Sequence, residues 1–226
     1  MDQIILFILA VAPCLGIICF MYLKNAYKPS PSKYLILSVF YGILSFLLAL
    51  VLGLLVRNYT QAKEGDLIYQ IIHAMVFVGV LEEVSKFVFL RGIVYYNKHF
   101  TQPLDGIVHS VMIGMGFALA ENFIYMRMGE GGSLILRMVT AIPAHAAFAV
   151  IMGYFVGEAK VFPSSAKLFL GMGLFFAAFA HGYYDFFLLQ DNIPGLWWQS
   201  FMALAIAIVI TYNAIKVREN ELESST

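Results

Sequence analysis

The sequence predicts an all-α, polytopic membrane protein: one integral membrane domain over residues 1–226, built as a bundle of about seven transmembrane helices around a polar intramembrane cavity. Three observations point there. Of 226 residues, 61% are hydrophobic and only 12% charged, where a soluble globular domain carries about 25% charged residues. Mean hydropathy is +0.82. Apolar runs of the roughly 20 residues needed to cross a bilayer recur along the whole chain.

The first run covers residues 3–23. It follows Met1-Asp2-Gln3, which lacks the positive stretch of a secretory signal, and Pro13 stands where a lipoprotein signal around Cys14 needs a small residue, so the run is expected to be a retained span. Lys28-Pro29-Ser30-Pro31-Ser32 then breaks the pattern before a second run at 34–56, and Gly65-Asp66 precedes a third at 68–91. Pro103 and Asp105 introduce the fourth at 106–127, and Gly131-Gly132 the fifth at 133–157. Pro163-Ser164-Ser165 separates off the sixth, 165–188, and Pro194-Gly195 opens the seventh, 195–215.

Seven spans put Lys24, Lys28, Lys33, Arg91, Lys98, Lys160, Lys167, Lys216 and Arg218 on one side, against Arg57, Lys63, Arg127 and Arg137 on the other. The positive-inside rule then predicts a plasma-membrane protein with its N-terminus outside and its C-terminus in the cytoplasm. Trp197 and Trp198 at one interface and Tyr95 and Tyr96 at the other read as aromatic anchors. Formal net charge is +0, with no basic block, so nucleic acid is excluded as a partner and the lipid bilayer is the expected one. Cys14 and Cys19 lie in an apolar run and imply no disulfide framework. Gly114-Met115-Gly116 in the fourth run and Gly171-Met172-Gly173 in the sixth echo one another, and are read as small-residue packing.

Against this background Glu82, Glu83, Lys86, Glu121, Asn122, His145, His181 and Asp185 stand out inside apolar runs. Each ionisable group at mid-bilayer costs about 2.5 to 3.5 kcal/mol even on insertion scales, so a polar interior or a function must offset them. Residues three or four apart share a helix face: Glu82 and Glu83 both reach Lys86, and His181 precedes Asp185 by one turn. Counted along the helices, Glu82, Glu83 and His145 fall near mid-span and Glu121, His181 and Asp185 nearer the outer ends, which predicts a cavity opening outward. Two adjacent carboxylates in low dielectric share a proton, and histidines nearby polarise a carbonyl or shuttle protons. That is the inventory of a hydrolase that activates water without a Ser or Cys nucleophile.

These residues resemble the PrsW family of glutamic-type intramembrane proteases, itself related to the CAAX prenyl endopeptidases. Leu81-Glu82-Glu83-Val84-Ser85-Lys86-Phe87 is similar to the family's paired-Glu motif. Asp105-Gly106-Ile107-Val108 and Gly116-Phe117-Ala118-Leu119-Ala120-Glu121-Asn122 follow, then His145 before Ile151-Met152-Gly153, then His181-Gly182-Tyr183-Tyr184-Asp185-Phe186. With Ala12-Pro13 and Tyr22-Leu23-Lys24, the resemblance runs over residues 12–187. The CAAX pattern carries an Arg one residue beyond the place of Lys86 and a His at the place of Glu121, so the chain is nearer to PrsW and a prenylated substrate is not expected.

The resemblance implies cleavage of a peptide bond in or beside a membrane helix, in a single-pass substrate of the anti-sigma-factor type. Glu82 is then expected to be the general base, with Glu83 sharing its proton or holding it in place, and Lys86 in support. A plain Glu83–Lys86 ion pair would leave the second carboxylate unexplained. His181 activates water or stabilises the oxyanion, and Asp185 orients it or donates when protonated. Glu121 completes the water site, Asn122 donates to the oxyanion or makes a helix contact, and His145 is catalytic support or a satisfied core histidine. His73, His99 and His109 read as interfacial or solvated.

Two other functions fit the same inventory. A proton- or ion-coupled transporter also buries acids and histidines, although the Gly-Met-Gly echo is not the inverted repeat such a fold would show. A zinc enzyme would need ligands converging from separate helices, because no two histidines have the spacing of H-E-x-x-H. No cofactor and no metal is therefore expected.

Overall fold

The computed structural model describes residues 3–24, 31–56, 66–128, 131–190 and 192–224. The described residues contain no strand. Helices α1 (Gln3–Lys24), α2 (Ser32–Val56) and α3 (Leu67–Ile72) are followed by a π segment (His73–Val80) that runs directly into α4 (Leu81–Gly92). Then come α5 (Pro103–Arg127), α6 (Gly131–Val139), α7 (Ala141–Val161), α8 (Ala166–Leu189) and α9 (Trp198–Ser224). Among the described residues, seven segments are long and apolar enough to cross a membrane: 4–23, 32–56, 67–96, 103–127, 135–161, 163–189 and 198–218. The chain is thus an all-α, polytopic membrane protein. The expected turn at 28–30 and at Gly65, and the charges of Lys28, Arg57 and Lys63, lie outside the described residues.

The third segment extends past the expected residue 91 because a short 3-10 turn, Val94–Tyr96, is tied down. The Tyr95 hydroxyl donates to the Ala159 carbonyl (3.0 Å), and Lys160 Nζ donates to the Tyr95 carbonyl (3.0 Å).

Helix α5 is the axis of the bundle. Its residues Leu104 to Ala118 are all buried, and it packs against α7, α2 and α1. Pro103 opens it, and Asp105 caps it by accepting from the amides of Thr101 (2.8 Å) and Gln102 (3.0 Å). Glycines let it come close: Gly106 lies against Gly153 and Gly157, and Gly116 against Val39 and Gly42, with no room for a Cβ at these contacts. Apolar side chains gain nothing by leaving lipid for protein, so close backbone approach of this kind is what holds membrane helices together.

A second close contact sets up the site. A Cβ on Gly79 would fall 2.7 Å from the Ala178 carbonyl oxygen and from the Gly182 nitrogen. This locks the π segment onto α8 in one register and brings the residues after Gly79 beside those around Gly182. Wide π turns sit frequently at functional sites, and this one ends two residues before Glu82.

The expected fifth span is broken near its start. Pro143 has no amide hydrogen to give to the carbonyl four residues back, Val139, and its ring crowds that carbonyl. Accordingly α6 ends at Val139, Thr140 leaves the helical region (φ −125, ψ −67), and α7 starts at Ala141.

One histidine differs from expectation. His109 is buried rather than interfacial or solvated, because its Nδ1 hydrogen-bonds the Ser38 hydroxyl (2.8 Å) and its ring stacks on Phe100.

Candidate active site

Helix α4 aims Glu82, Glu83 and Lys86 towards α8. Glu83 is fully buried, and its Oε1 accepts from Lys86 Nζ (2.6 Å) and from His181 Nδ1 (2.8 Å). Those two donors fix its position. Glu82 is held less firmly: its Oε2 stands 3.6 Å from Lys86 Nζ and 3.8 Å from His181 Nε2. That oxygen is buried and makes no hydrogen bond. His181 Nε2 also lies 3.3 Å from Asp185 Oδ2, so the i,i+4 pair read from the sequence is formed. Phe148 stacks on the His181 ring with centroids 4.9 Å apart.

Helix α7 brings in His145, whose ring stands perpendicular to that of His181 at 5.2 Å. One tautomer satisfies both of its nitrogens. Nε2–H donates to Glu121 Oε2 (3.0 Å), which leaves Nδ1 to accept from Lys86 Nζ (3.3 Å). The Lys86 ammonium therefore reaches Glu82, Glu83 and His145 together, and it also sits over the Phe117 ring at 4.1 Å.

Each histidine is thus oriented by a carboxylate: His181 by Glu83, and His145 by Glu121. Glu121 bonds His145 and Arg137, rather than Glu82 or His181. Arg137, on α6, lies 2.5 Å from the same Glu121 oxygen, donates through Nε to Asn122 Oδ1 (2.9 Å) and stacks over Tyr125. Asn122 is fully buried and donates to the Ala10 carbonyl (3.2 Å), so it ties α5 to α1 and faces away from the carboxylate pair. Of the residues singled out from sequence, Glu82, Glu83, Lys86, His145, His181 and Asp185 form one cluster, Glu121 stands behind His145, and Asn122 makes the helix contact.

Arg137 is the member that sequence reading missed, placed there only among the outer-side charges. Its signal was available, because an arginine eight residues before His145 in an apolar run carries the same insertion cost as the residues that were noticed.

The cluster is short of positive charge. Glu82, Glu83, Glu121 and Asp185 face Lys86 and Arg137, which leaves two negative charges uncompensated when both histidines are neutral. Burying that imbalance in low dielectric is unfavourable, so the site must take up protons or a cation. Glu82, His145 and His181 each offer a ligand atom, all within 4.8 Å of one another. Two histidines and a glutamate are a common donor set for catalytic zinc. The unpartnered Glu82 oxygen and the charge deficit fit a divalent ion, and the carboxylates behind both histidines are the usual outer partners of metal-binding imidazoles. The ligands come from three helices, the convergence that sequence spacing alone gave no sign of.

Beside the cluster, an apolar cavity of about 480 Å³ lies between α7, α8 and α9. Phe148 and Tyr184 form its wall towards His181, and Tyr183, Ala180, Gln199 and Met202 line the rest.

Comparison with known proteins gives a consistent result. The family described as "PrsW family intramembrane metalloprotease" matches residues 30–213. The chain is 34% identical to "Protease PrsW" of Clostridioides difficile over 194 residues, covering 82% of this chain and 80% of the relative. It is 31% identical to "Protease PrsW" of Geobacillus kaustophilus over 192 residues, 85% of this chain and 83% of the relative. With the Halalkalibacterium halodurans "Protease PrsW" the identity is 27% over 213 residues, 94% of each chain. No solved structure matches.

Proposed function

Because the chain belongs to the PrsW family of intramembrane proteases, we propose that it cleaves single-pass membrane proteins of the anti-sigma-factor type near the outer face, using water activated by the glutamate and histidine cluster. The observation that carries this reading is the convergence of Glu82, Glu83, His145 and His181 from three helices, around a buried carboxylate oxygen with no hydrogen-bond partner.

In this reading Glu82 is the mobile carboxylate. Its Oε2 takes the proton of the attacking water and passes it to the leaving amine. Glu83, gripped by Lys86 and His181, holds His181 so that Nε2 points at Glu82 and Asp185. His181 Nε2–H and the Lys86 ammonium donate to the oxyanion as it develops. Glu121 keeps His145 in one tautomer, with Nδ1 facing the cluster. A divalent ion such as zinc, were it held by Glu82, His145 and His181, would supply Lewis-acid activation of the water in place of the Glu82 base and the His181 Nε2–H donor. The substrate helix approaches through the apolar cavity between α7 and α9, whose wall is continuous with His181.

The proposed location is the plasma membrane, with the N-terminus outside and the C-terminus in the cytoplasm. In support, Lys33, Arg91, Lys160 and Lys167 stand at one end of their spans, whereas Glu121, His181 and Asp185 lie towards the other.

The test is to map the termini of membrane-protein fragments in cells carrying wild type or Glu82→Ala/Glu83→Ala, and to measure the metal content of the purified protein. Fragments that end in or just outside a span, and that vanish in the double variant, support the protease reading. Unchanged fragments at equal protein abundance contradict it. One zinc per chain together with inhibition by chelators selects metal-assisted hydrolysis, and activity in metal-free protein selects the glutamic route.

A further inference from the structure

The lipid-facing side of the α4–α8 pair carries a furrow towards the Arg91 and Lys167 end of the spans, outside the residues given a role in proteolysis. At one end is a recess of about 270 Å³ lined by Phe87, Arg91, Lys167, Leu170, Gly171 and Leu174. A second recess of about 330 Å³ shares Gly171 and Leu174 and continues along the π segment past Met75, Val76, Val80 and Phe179. The two recesses adjoin at these shared residues, the first basic and the second apolar.

Its dimensions suit one leaflet. From Lys167 to Phe179 is twelve residues of helix, or about 18 Å at 1.5 Å per residue, against a hydrocarbon half-thickness of about 15 Å. Its floor is open where a side chain would close it, since a Cβ on Gly171 would meet nothing within 4 Å, whereas its counterparts Gly114, Gly116 and Gly173 are all in close contact. Its charge is of one sign. No acidic residue lines either recess, and among the described residues neither Arg91 nor Lys167 is ion-paired with a carboxylate. Arg91 is instead held over the rings of Tyr95 (4.6 Å) and Tyr96 (4.5 Å) at the helix end, where a phosphate would lie.

We propose that this furrow binds one anionic phospholipid, with the phosphate-bearing headgroup between Arg91 and Lys167 and an acyl chain laid over Gly171 and Leu174 against the π segment. Charge complementarity selects an anionic over a zwitterionic headgroup, and the one-leaflet length selects a lipid over a substrate helix, which would cross both leaflets. Basic pockets between helices at the membrane edge are a recurring mode of lipid-headgroup recognition.

The test is native mass spectrometry of the full-length protein titrated with phosphatidylglycerol or phosphatidylcholine in mild detergent, reading the apparent Kd of the first bound lipid. Wild type is expected to prefer phosphatidylglycerol. Arg91→Gln and Lys167→Gln are each expected to weaken it about fivefold, and to weaken phosphatidylcholine, whose choline already offsets its phosphate, less. Gly171→Phe, which fills the floor and leaves both charges, is expected to weaken both lipids, while Gly16→Phe, at an equally open glycine on α1, changes neither. Equal affinity for the two lipids, or a phosphatidylglycerol preference that survives the double charge variant, overturns the proposal. So does an unaltered first lipid in Gly171→Phe, which would assign the preference to diffuse surface charge.

Discussion

Glu82 and Glu83 are neighbours in sequence with different circumstances. Glu83 has two donors on one oxygen and little freedom, whereas Glu82 faces the cluster with an oxygen that nothing satisfies. Glu82→Gln should therefore abolish cleavage while leaving abundance near wild type. Glu83→Gln should lower both, because it leaves Lys86 buried without its closest counter-charge. Immunoblots of substrate and enzyme together check the pair. Behind His145, Glu121→Gln and Arg137→Ala are each expected to reduce cleavage about 10- to 100-fold, the usual loss when an outer partner of an active-site histidine is removed. Arg137→Lys should recover part of it in the same assay, because an ammonium keeps the charge but not the fork that also reaches Asn122. The polar residues were legible in the sequence because each is out of place in an apolar run. Their partners were not: that His145 would turn to Glu121, and Asn122 to Ala10, depends on how distant helices are rotated.

At the level of the helices, each span was readable from the length of its apolar run, and the loops from their prolines and glycines. The π segment had no such signature, since His73–Val80 reads as ordinary apolar helix. The break at Thr140 did have one in Pro143, which reading the run as continuous passed over. Register across helices depends on close approaches, and these can be tested. Gly182→Leu would drive a side chain into Met75 and Ala74, so an overpacking loss of about 1–3 kcal/mol is expected, together with lost activity as Glu83 and His181 separate. Gly16→Leu, with nothing within 4 Å of its Cβ, should be close to neutral. Thermal unfolding of the two variants in detergent provides the comparison.

Taken whole, the molecule is a bundle hung on α5, with four acids, one lysine and two histidines gathered at the meeting of α4, α5, α7 and α8, joined by Arg137 from α6. Its charge deficit belongs to no single residue and appears only when the helices are assembled, so composition, which sums to +0 over the chain, could not reveal it. The activity proposed for this cluster is hydrolysis of a peptide bond. The most direct measurement is single-turnover cleavage of a purified single-pass substrate by the purified protein in the same vesicles, with product termini read by mass spectrometry, for wild type and for Glu82→Gln. Wild type is expected to give products ending within or just outside the substrate's span, and the variant none. The same products at the same rate from Glu82→Gln would contradict that proposal.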